Sequence, residues 1–268
     1  MQAAHTTVHL LGLGAIGPGF ADWPTLAAVL REEQPWSHTA TQIPVLQVLP
    51  AAERRRVGVV IKLALATGLE AAQRAARDPA KMASVFSASN AEGENCHALC
   101  EALAGADRFI SPTRFHNSVH NASSGYWSIA TGCMAQSTSL CAYDASFAAG
   151  LIEAATQVAS TGEDCLLVVH DSVYPHPLGT ARPLLDNMAI GLVLSARPET
   201  DALARLDISL STGAPASPAP QGLAALHAGM PCGRALPLLH AVALGLETSV
   251  DLEYLAPQSL CIKVSPCP

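Results

Sequence analysis

Charge is scarce in this chain: 14% of its 268 residues are Asp, Glu, Lys or Arg, while 50% are hydrophobic. A monomer of this size ordinarily carries more charge. The shortage predicts either a surface covered by another chain or an unusually large Ala-rich core. Basic runs are lacking too. Lys and Arg number 15 against 22 Asp and Glu, the net charge is -7, and the densest basic stretch is Arg54-Arg55-Arg56. A surface that tracks nucleic-acid phosphates is therefore not expected. No apolar run reaches the roughly 18–20 residues that span a bilayer. Met1–Gly19 lacks the basic start and cleavage signature of an export signal. The eight cysteines are then expected as free thiols in a reducing cytoplasm. No Gly-x-Ser-x-Gly elbow occurs, which disfavours a serine hydrolase.

What is present reads as alternating strands and helices. Strands are predicted over Val8–Gly14, Ala83–Ala88, Gln136–Leu140, Cys165–His170, Met188–Ser195 and Leu206–Ser211. The continuous apolar character of Cys165–His170 and Met188–Ser195 fits a sheet covered on both faces. Helices are predicted over Pro24–Arg31, Ala51–Ala76, Cys96–Leu103, Asp144–Ser160 and Arg234–Gly245, the last interrupted by Pro237. Gln34–Pro50, Asn90–Asn95 and Pro112–Gly132 read as loops, Gly213–Gly222 as a Pro-interrupted linker, and Ser249–Tyr254 with Ser259–Val264 as a terminal hairpin.

Several motifs invite chemistry and do not carry it. Gly12-x-Gly14-x-x-Gly17 has dinucleotide-binding spacing after a strand. That fingerprint needs a helix to start at the turn, and Pro18-Gly19 stand where the helix would already be running. A tight turn is the better reading. His116-x-x-x-His120 has helical metal-ligand spacing, but the surrounding Asn, Ser and Pro favour a loop. Cys96-His97 with Cys100 lacks a second ligand pair. No metal and no cofactor are expected.

Three stretches resemble the β-ketoacyl synthases of the thiolase-like fold: Leu11–Pro18, Leu49–Arg56 with the helix after it, and Gly132–Ala155. The blocks Asn117–Ala122, Gly125–Gly132 and Asp144–Leu151 are similar to short ketosynthase-like amino-terminal domain proteins, or chain length factors, of bacterial aryl polyene clusters. The resemblance implies an α/β, thiolase-like layered fold. Residues 1–200 would form a largely complete amino-terminal half. Residues 201–268 would form a reduced carboxy-terminal segment packing on the same core.

In that family a cysteine sits at the amino end of a buried helix, where helix dipoles favour the thiolate. Cys141 is the equivalent position here. Two histidines from glycine-rich carboxy-terminal motifs complete a condensing site, and neither motif is present: His227 and His240 lack those surroundings. Cys141 is either a residue of a degenerate site or a nucleophile whose histidines come from elsewhere. A thiolate without oxyanion and proton partners forfeits large factors in rate, which favours the former. Tyr143 stands where family enzymes have a small residue, so the pocket is expected to be partly filled.

The resemblance also implies pairing of the strand before the nucleophile, Gln136-Ser137-Thr138-Ser139-Leu140, across a two-fold axis. Cys133-Met134-Ala135 would then approach a partner's acyl tunnel, with Tyr143 beside it. The implied partner is an active ketosynthase in a cytoplasmic heterodimer, with acyl carrier protein engaged indirectly. The alternative is an active Cys141-dependent acyltransferase.

Overall fold

The computed structural model describes residues 5–90, 92–218 and 220–267. Met1–Ala4, Ala91, Ala219 and Pro268, which fall within the expected start, polar loop, linker and end of the chain, lie outside the described residues.

One mixed eight-stranded sheet organises the chain, in the order β3-β2-β4-β5-β1-β6-β8-β7. Its strands are β1 Thr6–Ile16, β2 Ala83–Ser87, β3 Ser137–Leu140, β4 Cys165–Asp171, β5 Met188–Ser195, β6 Ala204–Ser211, β7 Thr248–Glu253 and β8 Ser259–Pro266. β2 pairs in parallel with β3 and β4; the pairings of β5 with β4 and β1, and those of β6, β8 and β7, are antiparallel. β4 and β5 are buried along their whole length, as their unbroken apolar runs predict. β6 instead alternates, with Ala204, Leu206 and Ile208 inside. The terminal hairpin forms as expected.

The helices are α1 Trp23–Leu30, α2 Ala51–Arg54, α3 Val59–Arg74, α4 Gly93–Ala104, α5 Pro112–Asn117, α6 Ala122–Thr131, α7 Ser146–Thr161, α8 Leu178–Ala181, α9 Ala224–Gly229 and α10 Leu236–Ala243. They divide between two cores. α1, α7 and α10 cover one face of the sheet, with Leu26, Phe147, Leu151 and Leu239 packed on Leu13, Leu167 and Leu192. α3 and α6 cover the other, with Ile61, Leu65 and Trp127 on Phe86, Val168 and Val193.

Four local expectations are corrected. The helix expected over Ala51–Ala76 is broken between α2 and α3. Gly58 caps α3, and a Cβ there would displace the Glu92 carboxylate. Pro112–Gly132, expected as loop, holds α5 and α6. Ser111 caps α5, Pro112 occupies its first turn, and Gly132 ends α6 at φ 73°. These are ordinary start and stop signals. His116 consequently lies on α5 while His120 lies beyond its end. Pro237 does not interrupt a helix; it sits in the first turn of α10, where its missing N–H has no partner to lose.

The fourth correction concerns the glycines. Gly12 and Gly14 lie inside β1, not in a turn. A Cβ at Gly12 would run into the Ala71 carbonyl oxygen, and one at Gly14 into that of Thr67. Their role is to let α3 lie directly on β1. The turn comes afterwards, closed by Gly17 N–H on the Phe20 carbonyl at 3.0 Å.

Candidate functional site

The carboxy-terminal ends of β2, β3 and β4 converge on one polar neighbourhood, where open α/β sheets tend to place their sites. β3 is the edge of the sheet. It is held by its parallel ladder to β2, with Ser84 N–H donating to the Gln136 carbonyl at 2.9 Å and Ala88 N–H to that of Leu140 at 3.2 Å. By the alternation of a parallel ladder, the even-numbered residues of β3 address β2 and the main chain of Ser137 and Ser139 addresses the open edge. Met134, Ala135, Gln136 and Ser137 are exposed, Met134 to 93%, and Thr138, Ser139 and Leu140 are partly exposed. Cys133 is buried, its thiol donating to the Met82 carbonyl at 3.4 Å.

Cys141 follows β3 directly and is exposed. Its thiol donates to the Ser89 carbonyl oxygen at 3.2 Å. Between it and α7 lies a single 3-10 turn, Tyr143–Ala145. That turn is braced from three sides. Ser146 donates its hydroxyl to the Tyr143 carbonyl at 2.7 Å and accepts the Ala142 N–H at 3.1 Å. Ser87 of β2 donates to the Ser146 carbonyl at 2.7 Å. Tyr143 has φ 55°, a left-handed backbone for an aromatic residue. The Arg182 guanidinium lies 3.5 Å from the centre of its ring and pairs with Asp144 at 2.7 Å.

Beneath Cys141, Ser89 N–H donates to Asp171 Oδ1 at 2.9 Å, and Cys232 N–H donates to Asp171 Oδ2 at 2.9 Å. Burial pushes the Asp171 carboxyl up to about 6, against these hydrogen bonds. It also pushes the Cys232 thiol far above the ordinary range, and the Asp171 charge adds to the effect. Cys232 is thus held as a neutral thiol.

Strand alternation puts His170 two residues beyond Val168, on the α3–α6 face. Ser139 of β3 shares that face, meeting Ser124 of α6 at 3.3 Å. His170 is fully buried, and its pKa falls to about 4 through desolvation and the nearness of His120. Desolvation also lowers His120, whose Nε2 is buried without a partner. Among the described residues neither imidazole hydrogen-bonds the Cys141 sulfur, which donates to the Ser89 carbonyl. The two histidines weighed from the sequence lie elsewhere: His227 is in α9, where its carbonyl accepts from Arg234 at 2.7 Å, and His240 is in α10. Among the described residues no group of three His, Cys, Asp or Glu side chains is placed to hold a metal, and no helix is long and apolar enough to cross a membrane.

The sequence pointed to Cys141, Tyr143 and β3, and the fold brings these together. It missed Arg182 and Ser89, while His170, Asp171 and Ser172 stand at the end of a predicted strand, where the sequence already places α/β sites. Ser89 follows a predicted strand, which is a usable signal. Nothing in the sequence marks Arg182.

A family model described as "Beta-ketoacyl synthase, N-terminal domain" matches residues 28–236. No curated protein matches the chain. Among solved structures, a ketosynthase (ApeO) in complex with its chain length factor (ApeC) from Xenorhabdus doucetiae is similar at 22% identity and TM-score 0.73, over 96% of this chain and 99% of that one. A type II PKS acyl-carrier protein in complex with its ketosynthase, AntDE:AntF, is similar at 12% identity and TM-score 0.74, over 98% and 100%. The ishigamide ketosynthase/chain length factor is similar at 13% and 0.73, over 98% and 100%. The fold is accordingly that of the thiolase-like ketosynthases, with a reduced carboxy-terminal half.

Proposed function

The chain belongs to the β-ketoacyl synthase amino-terminal domain family, and from that membership we propose that it is a chain-length-factor-like subunit without condensing activity of its own. In this reading it pairs with an active β-ketoacyl synthase in a cytoplasmic heterodimer that elongates aryl polyene or related polyketide chains on an acyl carrier protein. The observation that carries the reading is the open edge of β3. A strand with its main-chain groups unpaired is a template for another strand, and a second sheet meeting it there would be continuous with this one. Exposed Met134 and the small residues that follow would then border the partner's acyl channel. Cys133, buried beneath them, would support that border from below.

The condensing chemistry is assigned to the partner. Condensation needs a thiolate plus imidazoles on the thioester oxygen and the departing carboxylate. The Cys141 thiol instead donates to the Ser89 backbone carbonyl at 3.2 Å, and among the described residues no imidazole hydrogen-bonds it.

Co-expression with the ketosynthase of its own host tests the reading. The expected result is a one-to-one complex in native mass spectrometry, with elongation preserved in Cys141→Ala. Ser139→Pro removes an edge-facing N–H and leaves the β2 ladder intact, so it should abolish pairing while the chain still folds. Loss of elongation in Cys141→Ala, with selective labelling of Cys141 by iodoacetamide, would instead support a Cys141-dependent acyltransferase.

A further inference from the structure

We propose that Gln157 is a positioning residue that, through the hydroxyl of Thr138, holds the edge strand β3 in the orientation a partner strand needs. This rests on the subunit reading above and names the side chain that prepares its interface.

β3 is four residues long and has a neighbour strand on one side only. Such a strand is prone to fray, because few bonds hold it and water reaches its free edge. Here each of its first three residues is tied by its side chain to a different element. Ser84 of β2 and Ser137 share a hydroxyl hydrogen bond at 3.0 Å. Ser139 and Ser124 of α6 share another at 3.3 Å. Gln157 of α7 donates an amide N–H to Thr138 Oγ1 at 3.0 Å. Side chains alternate between the faces of a strand. The two serines therefore tie β3 on the α3–α6 face, and Thr138 ties it on the α7 face. Ties on both faces stop the strand from rolling about its own axis.

Gln157 is buried on a helix whose inward side is otherwise apolar, through Phe147, Leu151, Ala154 and Val158, with Ser146 at its start. A buried amide is costly there unless its groups find partners. They do: the second N–H goes to Glu153 Oε1 at 2.8 Å, and Oε1 accepts the Cys165 thiol of β4 at 3.9 Å. An amide held from three directions cannot swing away, so Thr138 is bound to a fixed point. With these side chains engaged inward, β3 offers the open edge the main-chain groups of Ser137 and Ser139. The occupant that fits is an extended strand of the ketosynthase that bonds to main chain. A strand already ordered loses little freedom on pairing, and binding is tighter for it. A glutamine that only joined α7 to β4 would leave partner affinity untouched.

The test uses the full chain with the ketosynthase of its own host. Titration reads partner affinity. Hydrogen exchange in the isolated chain reads the Thr138 and Leu140 amides, which face the β2 ladder. Thr138→Val removes the acceptor and keeps the branched shape, and Gln157→Leu removes the donor. Each should weaken pairing about five- to tenfold, roughly the worth of one hydrogen bond, and speed exchange of both amides. Thr138→Ser, which keeps the hydroxyl, should behave as the wild type. The double variant Gln157→Leu with Thr138→Val should bind no more weakly than the weaker single. Additive losses would place the effect of Gln157 in the core and overturn the inference. If Gln157→Leu does not fold, Thr138→Val set against Thr138→Ser carries the test. Wild-type affinity in Thr138→Val, with Ser139→Pro still abolishing pairing, overturns the inference and leaves the subunit reading standing. A wild-type chain that pairs with no ketosynthase overturns both.

Discussion

Two neighbouring residues at the end of β4 titrate in opposite senses, and the stability of the fold follows their difference. His170 has a folded pKa of about 4 against an ordinary 6.5. A lowered base binds fewer protons in the folded state, so its contribution is complete above pH 6.5 and is lost as pH falls toward 4. At 1.36 kcal/mol per unit this amounts to roughly 3 kcal/mol. Asp171 is raised from 3.8 to about 6. Its contribution is complete below pH 3.8 and is lost as pH rises through 6, again roughly 3 kcal/mol. Between pH 4 and 6 the two largely offset each other. His170→Leu should therefore make the chain gain stability on acidification through that window. Asp171→Asn should make it lose stability more steeply than the wild type. Urea unfolding at pH 7, 6, 5 and 4 reads both slopes, and parallel slopes in the two variants would contradict the burial of these groups.

At the scale of elements, what the sequence disclosed was whatever depends on a segment's own pattern. The apolar runs of β4 and β5, the amphipathic α7 and the terminal hairpin could all be read directly. What it hid depends on what lies opposite. Gly12 and Gly14 spell a nucleotide-binding turn only if the strand ends there, and whether it ends is decided by α3 lying across it. Asn117–Gly132 is poor in strong helix formers, yet α6 forms because Tyr126 and Trp127 bury against α3 and β2. The edge position of β3 could be drawn from the resemblance, whereas Arg182 comes from the β4–β5 connection, which carries no pattern. The close packing of α3 on β1 gives a direct check. Gly14→Ala should destabilise by about 1–3 kcal/mol, as overpacking does when a backbone atom is in the way. Gly125→Ala, in an exposed helical position with nothing within 4 Å of the new carbon, should stabilise by about 0.5–1 kcal/mol. Urea midpoints moving in opposite directions at constant slope are the expected signature.

The whole molecule is marked by where its exposed apolar groups lie. Among the described residues seventeen large apolar side chains are exposed, and six of them, Phe109 (88%), Phe115, Val119, Ile129, Met134 and Tyr143, belong to the stretch of chain that runs through α5 and α6 to the turn after β3. Scattered apolar residues on a surface mean little, but a concentration beside an open strand edge signals a protein interface. On the subunit reading it also accounts for the low charge, because surface that a partner covers has no need of solvating groups. The isolated chain should therefore bind a hydrophobic dye such as ANS, and adding the ketosynthase partner should displace it. Because the partner binds only the folded chain, stability should climb with partner concentration, by about 2.7 kcal/mol at a hundredfold excess over Kd. For a domain of this size that is a rise of roughly 5–10 °C in Tm. Ser139→Pro, which blocks the edge and leaves the apolar groups in place, should keep the dye signal and lose the partner-dependent rise. If the variant still shows the full rise, pairing does not run through β3 and the partner sits on the α5–α6 surface alone.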